Sequence, residues 1–566
     1  MGRNRAPAAR RGACGPFVPP VEEVSVFTSL IRRAPAALSW RAACRPARAL
    51  AVGVLLSLVA ACATHPPATT LDRPVSHALP PDTATPLRDA LAGPEAAHPG
   101  QSGFRLLPEG AEALQMRIAL ARAATKTLDM QYYIATEDTT GKLLLAAALY
   151  AADRGVRVRM LVDDLNFRDI DRIMAALNTH PNVEIRVFNP FGASQQRMVE
   201  RTANFFTRID SFTRRMHNKA MIADNQIAIV GGRNLGDEYF NASPTLQFRD
   251  LDVLAAGPVT NDVSASFDTY WSSASSYPLR VLNHQSFDPK DLDATRDELR
   301  AHWRTNADPY NAKPLNATPL AQQIARDELA LVWAPAEFKV DAPDKVARPT
   351  DAYVSPPMQR LAELTRGAQQ EFLAFSPYFV PHDAGVKILG DATARGVRVA
   401  ILTNSLAATD AVAVQAGYGP YRVPLLRHGV ELYEFKAQPG QPRARLFGSR
   451  SRASLHAKAY VIDRKILVIG SMNLDPRSAH LNTELALVIH SPALAQQVAT
   501  IFARVTRPDE SYRVSLVTPA GGGSPELEWT GIDDGQPTTY HVDPHAGLLR
   551  NVMTGMFMLL PVDDQL

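Results

Sequence analysis

One spacing occurs twice in this chain, and it limits the fold more than any other feature. HNKAMIADNQIAIVGGRN begins at His217, and HAKAYVIDRKILVIGSMN begins at His456. Both read H-x-K-x4-D-x6-G-[GS]-x-N. The sequence around each copy repeats too. Upstream of the first, LDMQYYI reads as a strand and GKLLLAAALYAAD as a helix; RGVRVRMLV and VEIRVF then read as strands. Upstream of the second the order returns as EFLAFSPYFV, a helix over about 384–394, RGVRVAIL, a helix over about 411–428, and VELYEF. A unit this long is no solenoid repeat. It predicts an α/β chain of two similar halves with mixed sheets, related by a pseudo-twofold axis.

Each motif reads as a hairpin that turns at Asp224-Asn225-Gln226 or Asp463-Arg464-Lys465. Residues i and i+2 of a strand share a face, so His217 and Lys219 address one ligand, as do His456 and Lys458. The glycines that end the returning strand permit close approach and turn Asn234 and Asn473 toward the same place. A phosphodiester suits this set. Lysine supplies charge, the asparagines supply amide donors, and Ser471 adds a hydroxyl. Imidazole attacks phosphorus or moves a proton near neutrality. Two copies place one histidine on each side of the phosphorus, as in-line displacement requires, in one shared active site. No carboxylate cluster with metal spacing accompanies either copy, so neither metal nor cofactor is expected.

The motif aspartates lie far along their strands, and Asp224 and Asp463 are expected to make structural hydrogen bonds at the turns. Asp250 and Glu484 open strands beside the catalytic ones, where each is expected to accept a hydrogen bond from the far nitrogen of a catalytic histidine. Arg233, Asp237 and Glu238 are expected in surface salt bridges, and Tyr132 and Tyr133 in the core. Arg214 and Arg215 read as a solvated turn with some reach for an anionic ligand. Asn404, Ser405 and Asp410 open a helix in a cap-like manner at a strand's C-terminal end, where α/β sheets place ligands.

These residues resemble the phospholipase D superfamily, whose signature is the doubled HKD motif. GGRNLGDEYF, SPYFVPHDAGV, ILTNSLAATDAVAVQAGY and GSMNLDPRSAHLNTE narrow the resemblance to bacterial cardiolipin synthases of the C type, over about 100–566. The resemblance implies phosphatidyl transfer through a phosphatidyl-histidine. One histidine attacks a phospholipid and releases its head group; a hydroxyl of phosphatidylglycerol then resolves the intermediate to cardiolipin. It implies His217 as nucleophile, His456 as acid and then base, and phosphatidylethanolamine or phosphatidylglycerol as the donor. A phospholipase D that hands the intermediate to water shares every one of these residues, and a non-catalytic lipid-binding lipoprotein is the rival outside enzymology.

The remainder concerns location. Residues 49–61, ALAVGVLLSLVAA, are too short to span a bilayer core of about 30 Å. With Arg45 and Arg48 before them and Val59-Ala60-Ala61-Cys62 after, they read as a leader over 1–61 ending in a lipoprotein cleavage box, with Cys62 as the lipidated residue. The 48 residues ahead of the apolar run exceed what a leader needs, as expected if translation starts further in. The net charge of +3 includes nine arginines and two glutamates of this leader; the remainder carries −4, which argues against nucleic acid as a partner. The other cysteines, Cys14 and Cys44, fall within the leader, so no disulfide is expected in the body. Residues 62–100 read as a disordered tether, 101–325 as the first half, 326–515 as the second and 516–566 as a C-terminal extension. Its apolar stretch LLRNVMTGMFMLLPV (548–562) is expected to lie in the lipid head-group layer. Together these place the chain in a bacterial cell envelope, lipid-anchored on the periplasmic side of the inner or outer membrane.

Overall fold

The computed structural model describes residues 71, 73–164, 171–190, 214–282, 287–308, 319–438, 452–519 and 521–557. The expected leader and Cys62 lie outside them.

Among the described residues the first half builds a nine-stranded mixed sheet. Its strands are β1 (Ser102–Leu107), β2 (Thr127–Tyr132), β3 (Arg157–Asp163), β4 (Val183–Phe188), β5 (Ala220–Ala223), β6 (Ile227–Gly231), β8 (Asp252–Ala256), β9 (Ser276–Pro278) and β10 (Val332–Ala334). Their order is β10-β1-β8-β6-β5-β2-β3-β4-β9, and β7 (Leu246–Arg249) stands apart. The second half contributes β11 (Ala336–Val340), β12 (Glu371–Phe375), β13 (Arg398–Asn404), β14 (Glu431–Phe435), β15 (Arg452–Leu455), β16 (Ala459–Ile462), β17 (Ile466–Gly470), β18 (Leu485–Ile489), β19 (Ser511–Val517), β20 (Glu526–Asp533) and β21 (Gln536–Tyr540). Its sheet runs β11-β18-β17-β16-β12-β13-β14-β19-β20-β21. The series β8-β6-β5-β2-β3-β4 and β18-β17-β16-β12-β13-β14 are one arrangement used twice. In each, three parallel strands joined by helical crossovers meet an antiparallel hairpin.

Apolar residues of both sheets, among them Ile222, Val253, Val461 and Leu487, share one buried cluster with the helices Val259–Ser272 and Pro492–Val505. The halves therefore share a core. They also exchange backbone. β15 of the second half pairs with β7 of the first, bringing Leu455 beside Arg249, and Met216 bridges Thr483 in the reciprocal place.

Three expectations shift. First, the segment expected to be a tether lies against the body from residue 73. The Arg73 guanidinium donates to the Ser273 carbonyl at 2.6 Å, and Arg159 donates to the Ser76 carbonyl at 2.9 Å. A helix follows at Pro86–Ala97, capped by Thr85 and burying Leu87 and Leu91. Thr85-Pro86 is a readable helix start that the Pro-rich composition masked. Second, the chain crosses between sheets at Pro335 rather than near 325, because β10 still belongs to the first sheet. Third, the C-terminal extension expected from 516 continues the second sheet through β20 and β21.

Candidate active site

The hairpin turns explain the motif aspartates. Asp224 and Asn225 both have φ near +50°, as do Asp463 and Arg464. This is the two-residue hairpin geometry that Asp and Asn tolerate well. The Asp224 carboxylate accepts backbone N–H bonds from Thr125, Lys126 and Thr127 at 2.8–3.2 Å, fastening the turn to the start of β2. Asp463 does the same for Gln369, Gln370 and Glu371 at 2.7–3.1 Å. Neither carboxylate faces a histidine.

The histidines stand where the halves exchange backbone. The His217 amide donates to the Thr483 carbonyl at 3.0 Å, and the His456 amide to the Arg249 carbonyl at 2.8 Å. Each contact sets the histidine beside the carboxylate that follows in the other half. His217 Nδ1 lies 3.0 Å from both Glu484 oxygens, and His456 Nδ1 lies 2.6 Å from Asp250 Oδ2. An ionised carboxylate in this position holds a proton on Nδ1 and leaves Nε2 open to a ligand. Neither Nε2 has a hydrogen-bond partner among the described residues. Lys219 and Lys458 each donate to the carbonyl of their own histidine, at 2.7 and 2.6 Å. Lys458 Nζ also lies 3.1 Å from His456 Nδ1. The shorter Asp250 contact sets the protonation there.

Burial depresses the basicity of His217 far below its usual range, and the charges of Lys219, Lys458, His456 and Arg477 push it further. Lys458 and His456 come from the other half, so the two half-sites share one field. His456 is lowered less, because Asp250 partly offsets burial and Lys458. Burial also lowers both lysines, Lys458 to about 8. The two carboxylates differ sharply. Burial drives Glu484 up to about 7, while His456, Lys458 and Arg233 override burial at Asp250 and hold it at about 2.

The GG/GS difference between the motifs also has a cause. A Cβ at Gly232 would stand 2.4 Å from Asp250 Oδ1, so only glycine fits. At the matching position Ser471 donates its hydroxyl to Glu484 and accepts the Leu485 N–H at 3.1 Å. That corrects the expectation of a free phosphate donor: Ser471 braces the carboxylate. Asn234 accepts from the Ile134 N–H at 3.1 Å and donates to the Tyr239 hydroxyl at 2.8 Å. Asn473 is buried, and its Oδ1 has no partner among the described residues.

Several secondary expectations change. Arg233 is buried, not in a surface salt bridge. It donates to the carbonyls of Leu107, Pro108, Tyr239 and Asp250 and lies 3.2 Å from Asp252. Asp237 accepts the Thr140 N–H at 2.7 Å at the start of the helix Thr139–Asp153. Tyr132 is a core residue, bonded by Arg117 at 3.2 Å. Tyr133 is not: its ring meets His217 edge-on at 5.1 Å and lies 5.2 Å from the Lys219 ammonium. Arg214 donates to the Arg348 carbonyl and Thr350, and Arg215 is buried on Asp163 and the Asn189 carbonyl, so neither forms a solvated turn. Asn404 clamps Leu455 from both sides, at 2.9 and 2.8 Å, just ahead of His456. Ser405 accepts the Ala408 N–H at 3.2 Å. Of that group only Asp410 is exposed, and the helix Val412–Tyr418 starts at Ala411 without a side-chain cap. Sequence reasoning missed Tyr239 and Phe248, whose rings pack on His456 at 5.2 and 4.8 Å. It also missed the buried Asp341–Lys345 pair, in which Asp341 accepts the Glu484 N–H at 2.9 Å. Aromatics in GDEYF and LQFRD carry no spacing signal that could have marked them. A cavity of about 600 Å3 lined by Tyr150, Trp303 and Arg300 contains none of these residues.

The duplicated geometry has a counterpart in known proteins. The cardiolipin synthase PLD-like domain matches residues 117–271 and again 361–506, one match per half. The chain is 39% identical to cardiolipin synthase C of Escherichia coli over 470 residues, 82% of this chain and 96% of that one. It is 28% identical to cardiolipin synthase A of Pseudomonas entomophila over 70% of this chain and 66% of that one. A crystal structure of phosphatidylserine synthase from Haemophilus influenzae aligns over 75% of this chain and 91% of its own, with a TM-score of 0.49 and 14% identity. With the domain in both halves and a relative matched over nearly its whole length, the chain belongs to the cardiolipin synthase PLD-like family of the phospholipase D superfamily.

Proposed function

We propose that the protein is a phosphatidyltransferase that makes cardiolipin from phosphatidylglycerol and a second phospholipid, phosphatidylethanolamine or phosphatidylglycerol. One observation carries this reading. Two imidazoles from separate halves, each fixed at Nδ1 by a carboxylate of the opposite half, present unpartnered Nε2 atoms within one electrostatic field.

His217 is the nucleophile. It is held uncharged, so its Nε2 lone pair attacks the donor phosphorus while the phosphorus–oxygen bond to the head group breaks. His456, whose basicity Asp250 supports, gives its Nε2 proton to the leaving oxygen. The donor's phosphate, once seated beside His456, adds the negative charge that favours that proton. In the second half-reaction His456 takes the proton of a phosphatidylglycerol hydroxyl. The oxygen attacks phosphorus, the phosphorus–nitrogen bond breaks, and cardiolipin leaves with His217 restored. Lys219 and Lys458 supply positive charge for the non-bridging oxygens, and Asn234 and Asn473 flank them. Asp224 and Asp463 hold the hairpins, and Glu484 and Asp250 orient the rings.

The substrates place the protein at a membrane. Among the described residues no helix is long and apolar enough to cross one. Attachment is assigned to a lipid on Cys62 and to the helix Leu548–Phe557, which exposes Val552 and Met553, on the periplasmic side of the envelope.

Vesicles containing labelled phosphatidylglycerol, with and without phosphatidylethanolamine, test the reading. Labelled cardiolipin from the wild type, and none from His217→Ala or His456→Ala, is expected. Phosphatidic acid as the sole product makes the protein a phospholipase, and lipid binding without turnover makes it a binding protein.

A further inference from the structure

The loop after β13 holds a carboxylate that the transfer mechanism does not use. The Tyr378 hydroxyl donates to Asp410 Oδ2 at 2.6 Å, and Oδ1 has no partner among the described residues. Asp410 caps no helix. Its position is nonetheless fixed. The buried Thr409 side chain accepts the Ala411 N–H at 3.1 Å, and Arg550 donates to the carbonyls of Leu406 and Thr409 at 2.7 and 2.9 Å. The charge of Asp410 raises the proton affinity of His456 and Lys458 and acts on Tyr239, which packs against His456. It is not among the leading influences on His217 or Lys219. Geometry ties the same loop to the chain on either side of His456: Asn404 at its head brackets Leu455, and Ala408 shares a buried cluster with Leu455 and Ala457, so Asp410 stands on the His456 side of the site.

That side is where an alcohol departs or arrives. A carboxylate there repels phosphate, so it is no phosphate ligand. It suits a hydrogen-bond donor borne by the alcohol itself. Resting on the transferase reading above, we propose that Asp410, oriented by Tyr378, forms a head-group subsite for alcohols carrying a hydroxyl or primary ammonium on the carbon next to the one that bears the reacting oxygen. Glycerol and ethanolamine head groups both have this 1,2 arrangement. An ethyl head group lacks the donor, and a trimethylammonium group has the charge without an N–H.

The test uses the full chain on vesicles, with phosphatidylglycerol, phosphatidylethanolamine and phosphatidylethanol as alternative donors. In Asp410→Ala, kcat/KM for each of the first two, relative to phosphatidylethanol, is expected to fall about ten- to hundredfold, the effect of one charge-assisted hydrogen bond. Asp410→Asn separates the two sources. Its amide oxygen still accepts from a hydroxyl, so phosphatidylglycerol recovers part of the loss, whereas the ammonium, deprived of its counter-charge, does not. Tyr378→Phe is expected to shift the same ratios in the same direction by a smaller factor. Melting temperatures confirm that the variants fold. Unchanged ratios in Asp410→Ala, or equal loss on all three donors, overturn the subsite. A wild type that consumes none of the donors contradicts the transferase reading, and the subsite falls with it.

Discussion

Replacing Glu484 with Gln removes the charge behind His217 while keeping its shape. Both Glu484 oxygens lie 3.0 Å from His217 Nδ1, and the Ser471 and Ser478 hydroxyls donate to the same carboxylate. Neutralising a carboxylate in this relation to a catalytic histidine costs about 10⁴ in turnover in the best-studied hydrolase triad, or about 5.5 kcal/mol of transition-state stabilisation. Here the carboxyl sits at about 7, so near neutrality roughly half of the wild-type molecules already carry it uncharged. The variant should therefore lose about 10³–10⁴ in cardiolipin formation at pH 8. At pH 6 the gap should narrow roughly tenfold, because the wild type then resembles the variant. Folding should be little affected, since the site already accommodates a neutral side chain and removing a buried charge carries no desolvation cost. The assay is the rate of labelled cardiolipin formation in phosphatidylglycerol vesicles at both pH values, with a thermal melt as control. A well-folded Glu484→Gln that keeps more than about a tenth of wild-type turnover at pH 8 refutes the role given to the cross-half carboxylate.

The same groups set the pH profile. Ionising Glu484, about 7, is required for full activity, so kcat/KM falls as pH drops through that value. Losing the Lys458 charge, about 8, makes it fall again above. A flat profile from pH 6 to 9 contradicts both assignments. Asp224→Ala leaves three N–H groups of Thr125, Lys126 and Thr127 without an acceptor. It should cost about 3 kcal/mol by denaturant titration, more than Asp463→Ala, because the Asp224 side chain is fully buried whereas Asp463 is partly exposed. Equal losses would remove the distinction. Gly232→Ala drives a methyl to within 2.4 Å of the Asp250 carboxylate and should lower turnover at least a hundredfold, whereas Ser471→Ala removes one donor to Glu484 and should lower it about tenfold; the reverse ranking counts against the packing argument.

Much of this was legible before any coordinates. The repeat of spacing fixed two α/β halves, and alternating apolar residues marked the strands and hairpins closely. What stayed hidden is what separates in sequence and meets in space. Glu484 reaches His217 across 267 residues and Asp250 reaches His456 across 206, and nothing in linear order says that the partners cross between halves. The strand read through Pro377 stops at Phe375, since proline has no N–H for the ladder. Tyr132 and Tyr133 point to opposite faces, as alternation requires, but which one meets the histidine depends on how the second half docks. The arginines misjudged as surface groups, Arg215 and Arg233, are buried because backbone carbonyls and single aspartates satisfy their donors. Composition does not reveal such partners.

The central claim is that His217 alone takes the phosphatidyl group and His456 moves the proton. Rapid acid-free quench of wild type, His217→Ala and His456→Ala with short-chain phosphatidylglycerol, followed by intact-mass measurement and peptide mapping, tests it most directly. A phosphatidyl adduct on His217 that persists in His456→Ala and is missing from His217→Ala is the predicted result. An adduct on His456, or none on either ring in a protein that still forms cardiolipin, contradicts it.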